Sequence, residues 1–215
     1  MAAGKIGRAL CMGAPPLLVL LSSLQASAQD APKPRRDRWE IGFIADALFL
    51  SRFHNVKEAG RAQYEFKWPA VLVGGRGGYY PQKFLGFEAE ALFGYGQVGK
   101  RTSREPDTFR RPDELKPPWF VPLRLHVVGQ VPVSRFVPFV LLGGGILNAK
   151  STEMGKDTDV LFDLGIGAKY FATKHVVPRL DLRLDMTQRE GGGLSEGVAL
   201  HTEIILGVSA NFGVH

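Results

Sequence analysis

Residues 176–189, Val-Val-Pro-Arg-Leu-Asp-Leu-Arg-Leu-Asp-Met-Thr-Gln-Arg, alternate between apolar and charged side chains almost without a slip. One face holds Val176, Pro178, Leu180, Leu182, Leu184 and Met186. The other holds Val177, Arg179, Asp181, Arg183, Asp185, Thr187 and Arg189. Successive side chains of a strand point to opposite faces, so this period of two predicts a strand between an apolar and a strongly polar environment.

The same period runs outward along the chain. Residues 198–212 put Val198, Leu200, Thr202, Ile204, Leu206, Val208, Ala210 and Phe212 opposite His201, Glu203 and Asn211. Residues 39–50 put Trp39, Ile41, Phe43 and Phe49 opposite Glu40 and Asp46. Residues 66–80 set Val71, Val73 and Tyr79 against Arg76. Residues 85–98 set Phe87, Phe93 and Tyr95 against Glu88 and Glu90. Residues 119–130 set Trp119, Leu123 and Leu125 against Arg124 and His126. Residues 160–170 set Phe162, Leu164 and Tyr170 against Asp163 and Lys169. Residues 137–147 are nearly all apolar or glycine, so their facing stays open.

These eight segments are each about ten or more residues long, the length that a tilted membrane-crossing strand needs. Strands of soluble sheets are usually about five or six residues. The connections alternate as well. Residues 51–65, 99–118, 148–159 and 190–197 are longer and polar, whereas 81–84, 131–136 and 171–175 are short. Outer-membrane barrels combine short periplasmic turns with longer extracellular loops. Aromatics on the apolar face gather near strand ends in two levels: Trp39, Tyr79, Phe87, Tyr170 and Phe212 at one, Phe49, Tyr95, Trp119 and Phe162 at the other. Bilayer interfaces favour such girdles.

The predicted fold is therefore all-β, an eight-stranded antiparallel up-and-down transmembrane β-barrel. A soluble barrel would turn the leucines inward instead. The long strands, the unequal loops and the aromatic placement argue for the membrane. The expected lumen then carries Glu40, Asp46, Arg76, Glu88, Glu90, Arg124, Asp163, Lys169, Arg179, Asp181, Arg183, Asp185, Arg189 and Glu203. Eight strands enclose an interior that side chains can fill, and unpaired buried charge is costly. A salt-bridged plug is expected in place of an open channel.

Composition agrees with export. Lys5 and Arg8 precede an apolar run ending in Ala26-Ser27-Ala28, a small-residue cleavage site. Residues 1–28 are expected to be a signal peptide, 29–37 a Pro/Arg-rich linker and 38–215 the barrel. Cleavage would remove Cys11, the only cysteine of the 215 residues, so no disulfide is expected. The formal charge is +6, partly in Lys33-Pro34-Arg35-Arg36, which reads as a solvated tether. No nucleic-acid motif accompanies it.

The signal peptide, the eight strands, the segment Val137-Pro138-Phe139-Val140-Leu141-Leu142-Gly143-Gly144-Gly145 and the final strand ending at Phe212 resemble the OmpA/OmpX-type outer-membrane β-barrel family. The resemblance covers residues 38–212. It implies residence in the outer membrane of a Gram-negative bacterium, contact with lipid and lipopolysaccharide, and biogenesis through the barrel-assembly machinery. Related barrels usually end on the aromatic, whereas Gly213, Val214 and His215 follow Phe212 here. No peptidoglycan-binding domain is expected after the barrel.

Small barrels of this size include lipid A deacylases and acyltransferases, so nucleophile–base pairs deserve a search. His126 is expected to face the lumen, with Val128 where a deacylase would want Ser. His201 and Glu203 share the inner face and read as part of the charge network. Ser195 and Ser209 have no base beside them in sequence. His54, His126, His175, His201 and His215 lack metal-ligand spacing, and the glycine runs at 74–78 and 191–193 do not open helices. No cofactor, metal or catalytic residue is expected. The loop 99–118, with Lys100, Arg101, Arg104, Arg110, Arg111 and Lys116, could meet lipopolysaccharide phosphates or a surface partner, since Arg matches phosphate geometry. The expected role is structural, in envelope integrity or surface interaction. The alternatives are a lipid-modifying enzyme and a small porin.

Overall fold

The structure, a computed structural model, describes residues 36–50, 64–66, 69–101, 116–151, 155–189 and 197–213. Its described elements are all strands: β1 Arg38–Phe49, β2 Tyr64–Phe66, β3 Ala70–Tyr80, β4 Leu85–Tyr95, β5 Val98–Arg101, β6 Trp119–Gln130, β7 Phe136–Ser151, β8 Gly155–Tyr170, β9 Val176–Arg189 and β10 Gly197–Gly213. Eight of them close into an antiparallel barrel in the order β1-β10-β9-β8-β7-β6-β4-β3, while β2 and β5 form a separate two-stranded ribbon. Closure pairs Arg38 with Gly213 on one side and with Tyr80 on the other. In hydrocarbon no water satisfies a free strand edge, so closure is the arrangement that lets a sheet cross a membrane.

The period of two decides which wall each residue joins. On β9, Asp181, Arg183 and Asp185 are buried and Leu180, Leu182 and Leu184 are exposed. The expected girdle residues Trp39, Phe49, Phe87, Tyr95, Trp119, Phe162, Tyr170 and Phe212 are exposed on the outer wall, with Tyr79 partly so. Trp39 and Tyr79 are register partners with ring centroids 4.8 Å apart. The open facing of residues 137–147 resolves with Val137, Phe139, Leu141 and Leu147 inward and Val140, Leu142 and Ile146 outward.

Three boundaries differ from the sequence reading. Phe66 does not begin the strand that ends at Tyr80, and Val98 does not end the one that begins at Leu85. Both join the ribbon, where Tyr64↔Arg101 and Phe66↔Val98 pair. Gly96, Gln97 and Pro69 lie outside the strands, between ribbon and barrel. Residues 148–159 are not a long loop. β7 and β8 stay in register up to Ser151↔Gly155. The backbone there stays paired although its residues are polar, and a composition-based reading takes such a stretch for a loop. The predicted signal peptide and most of the linker lie outside the described residues.

Glycine matters most where strands crowd. A Cβ at Gly145 would collide with the Leu123 carbonyl oxygen of β6, and one at Gly94 with the Val71 carbonyl of β3. Any side chain there would push the neighbouring strand away.

Candidate functional site

Among the described residues, the lumen is where the fold concentrates buried charge. The short turns after Tyr80, Gln130 and Tyr170 mark one mouth, the turn end, and the connections at the other mouth mark the loop end. Nearest the turn end, the Arg38 guanidinium lies over the rings of Tyr80 at 4.4 Å and Phe171 at 5.3 Å. Val137, Phe171 and Val177 pack together beside it.

Above them the charges interlock. Lys169 reaches Glu40 at 2.8 Å and Glu88 at 3.3 Å, and also meets the Tyr80 hydroxyl, which donates to Glu88. Arg179 binds Glu88 at 2.5 Å and Asp181 at 2.6 Å, with its guanidinium 4.1 Å from the Phe139 ring. Arg76 joins Glu90 at 2.6 Å to Asp181 at 2.9 Å. Arg183 grips both oxygens of Glu90, at 2.7 and 2.8 Å, and touches Asp181 at 2.7 Å. Arg124 meets Glu203 at 2.6 Å and Asp185 at 3.1 Å. His126 Nε2 lies 2.9 Å from Asp163.

The partners come from distant strands. In the ring order β4 and β9 are opposite, as are β6 and β10. The contacts Arg179–Glu88, Arg183–Glu90 and Arg124–Glu203 therefore span the whole lumen. The Arg183–Glu90 and Arg124–Glu203 contacts are two-pronged, which fixes geometry as well as charge.

Thirteen of the fourteen residues expected in the lumen are described with their side chains, and all are buried. The expectation for Arg189 concerns a side chain outside the described residues. Asp46 is a correction to the expected pairing. Both its carboxyl oxygens are buried without a hydrogen-bond partner. Its register partners are Leu72 and Ile205, and Ile44 and Leu48 flank it on its own face, so the strand places it in an apolar layer. That layer is Ile44, Leu48, Ala70, Leu72, Leu92, Phe120, Leu147, Ala149 and Ile205. Leu92, Phe120 and Leu72 lie nearer the loop end of their strands than Glu90, Arg124 and Arg76, so the layer lies on the loop side of those charges.

The sequence reading missed Arg38 and Tyr80, and it placed Thr187 on the inner face, where it is buried. Tyr80 shares the inward parity of Arg76, which was the available signal. His201 is buried as expected, and its Nε2 lies 2.9 Å from the Thr187 hydroxyl. The fold also gathers Glu88, Glu90 and His126, with one ligand-capable atom from each inside 4.8 Å of the others. Sequence spacing could not find this group, because His126 reaches Glu88 only as its register partner across β4 and β6. Arg76 and Arg183 already hold Glu90 at 2.6 and 2.7 Å, and Arg76 stands 3.8 Å from Glu88. A metal ion would enter against two guanidiniums, so the group belongs to the charge network.

Of the basic residues in the expected contact loop, Arg104, Arg110 and Arg111 lie outside the described residues.

A family model for the outer membrane protein β-barrel domain matches residues 17–212. The chain belongs to that family. Members of this barrel family and the solved structures of like fold are Gram-negative outer-membrane proteins. Neisserial surface protein A is similar at 11% identity and a TM-score of 0.53, over 81% of this chain and 97% of that one. The outer membrane protein OprG of Pseudomonas aeruginosa is similar at 13% identity and a TM-score of 0.50, over 86% and 100%. At these identities the likeness is one of fold. No curated protein matches the chain.

Proposed function

We propose that the mature chain, exported and freed of residues 1–28, is a non-enzymatic integral protein of the outer membrane with a closed lumen. Its work is structural or lies at the cell surface, in envelope integrity or surface interaction. The observation that carries this is the set of ion pairs between opposite strands. Where Arg183 of β9 grips Glu90 of β4, side chains from facing walls meet across the lumen, which supports a closed interior. The lipid-facing wall is apolar and ringed by aromatics, which suits bilayer lipid and lipopolysaccharide as its surroundings. Assembly through the barrel-insertion machinery belongs to the same reading, as does a surface partner or lipopolysaccharide phosphate at loop 99–118.

Purified barrel in a planar bilayer is expected to give no steady single-channel conductance. Reproducible unitary currents at neutral pH would contradict the closed lumen and favour a small pore.

One observation favours a second reading, a lipid-modifying enzyme: the hydroxyl–imidazole pair of Thr187 and His201. Both side chains are enclosed, at 1% and 0% exposure, which keeps a lipid ester from reaching them. Overexpression should leave the lipid A mass spectrum unchanged. A lost or added acyl chain would decide for the enzyme.

A further inference from the structure

The three short turns share a sign. Residues 81–84 carry Lys83, residues 131–136 carry Arg135 and residues 171–175 carry Lys174, and none of the three holds an aspartate or glutamate. The loop end differs: residues 99–118 mix Glu105, Asp107, Asp113 and Glu114 with their cations. Lys83 and Lys174 are exposed and Arg135 is half-buried. Asp37, an exposed acid at the turn end, accepts a hydrogen bond from the Tyr79 hydroxyl at 3.2 Å.

The backbone that bears each cation is held by the next element around the mouth. The Gln130 side-chain amide donates to the Lys83 carbonyl at 2.7 Å. The Phe171 N–H donates to the Arg135 carbonyl at 2.9 Å. The Asn211 side-chain amide donates to the Lys174 carbonyl at 3.0 Å. Ser134, just before Arg135, is left-handed at φ 58°, and the Val133–Phe136 backbone pair closes the turn around it. A non-glycine residue keeps that conformation only where its surroundings impose it. Three turns of unlike sequence thus form one hydrogen-bonded rim, with the backbone under each cation fixed.

Apolar side chains stand at the same level. Phe84, Val131, Val133 and Phe136 are all exposed. The Gln130 N–H donates to the Phe84 carbonyl at 2.9 Å, which sets the first two turns side by side. Turns that stand in water are usually polar, so an apolar cluster here calls for a cover. Phe136 is the register partner of the girdle residue Tyr170, which makes the cluster continuous with the aromatic belt. Apolar side chains beside fixed cations match the level of a bilayer where acyl chains meet phosphates.

We propose that this rim binds the phosphodiester headgroups of acidic phospholipids in the leaflet it faces, with the phosphates on Lys83, Arg135 and Lys174 and the acyl chains over Phe84, Val131, Val133 and Phe136. Arg offers phosphate a planar fork and Lys a point charge. A zwitterionic lipid carries its own cation, which the rim repels, so the rim discriminates by headgroup charge. The inference rests on the outer-membrane placement proposed for the chain.

The test uses the mature barrel with one reporter, Gln82→Cys carrying bimane, in phosphatidylcholine vesicles. The vesicles also contain a nitroxide-bearing phosphatidylglycerol or, at the same fraction, a nitroxide-bearing phosphatidylcholine. Quenching by the phosphatidylglycerol is expected to be several-fold stronger, because each surface cation is worth about fivefold in affinity for anionic lipid. Lys83→Gln/Arg135→Gln/Lys174→Gln should erase the difference, and Lys83→Arg/Lys174→Arg should keep it. Gel mobility of each sample, unboiled against boiled, reports insertion separately. Equal quenching by the two lipids in a barrel that has inserted would overturn the rim and leave its cations to a soluble acidic partner. So would a difference that survives in the inserted triple variant. Soluble glycerol phosphate should leave the difference in place; its loss would make a free phosphate ester the ligand and overturn the lipid. A chain that inserts in neither bilayer would overturn the membrane placement, and the rim with it.

Discussion

Arg124→Leu is expected to destabilise the folded barrel by about 3–5 kcal/mol, the usual cost of leaving buried charge without its partner. Arg124 is fully enclosed and serves Glu203 and Asp185 by hydrogen bonds, with Asp163 at 4.0 Å. Removing the guanidinium leaves these buried carboxylates facing one another without their shared cation. The loss should appear as a lower urea midpoint for barrels in phospholipid vesicles, followed by gel mobility. Glu203→Leu added to Arg124→Leu should recover part of the loss, because the double variant removes one uncompensated charge along with its partner. An unchanged midpoint in Arg124→Leu would mean that the contacts across the lumen do not hold the barrel closed.

The next residue on the same strand gives the second large effect for the opposite reason. Leu125 is 69% exposed near the middle of β6, on the outer wall. Leu125→Arg should cost about 2–4 kcal/mol, the penalty for a cation on the lipid face near the bilayer midplane. Were the leucine face in water, the same change would be nearly silent. Refolding yield into vesicles and the urea midpoint both read this difference. Adjacent positions with opposite requirements are the direct consequence of strand alternation.

That alternation is why the barrel was legible from sequence. Val176–Arg189 alone defines two walls, and the parity carries over to Glu88, Arg124 and Asp163 without any knowledge of the fold. The long-and-short rhythm of the connections added direction. What stayed hidden depends on register and shear between strands. Sequence parity says that Asp46 points inward, but not that Leu72 and Ile205 will be its neighbours. Nor does it say that Arg179 will find Glu88, which lies on the opposite wall. The same limit hid the grouping of His126 with Glu88 and Glu90. The polar ends of β7 and β8 were misread because the signal that marks a strand inside hydrocarbon, an apolar face, stops where the bilayer stops.

The inside-out barrel underlies every other statement and is tested most directly by gel mobility of the outer-membrane fraction, unboiled against boiled. A closed transmembrane barrel should be recovered in that fraction and should migrate at a different position until heat unfolds it. Recovery as a soluble periplasmic protein with the same mobility before and after boiling would contradict the account and turn the leucine wall into the interior of a soluble fold.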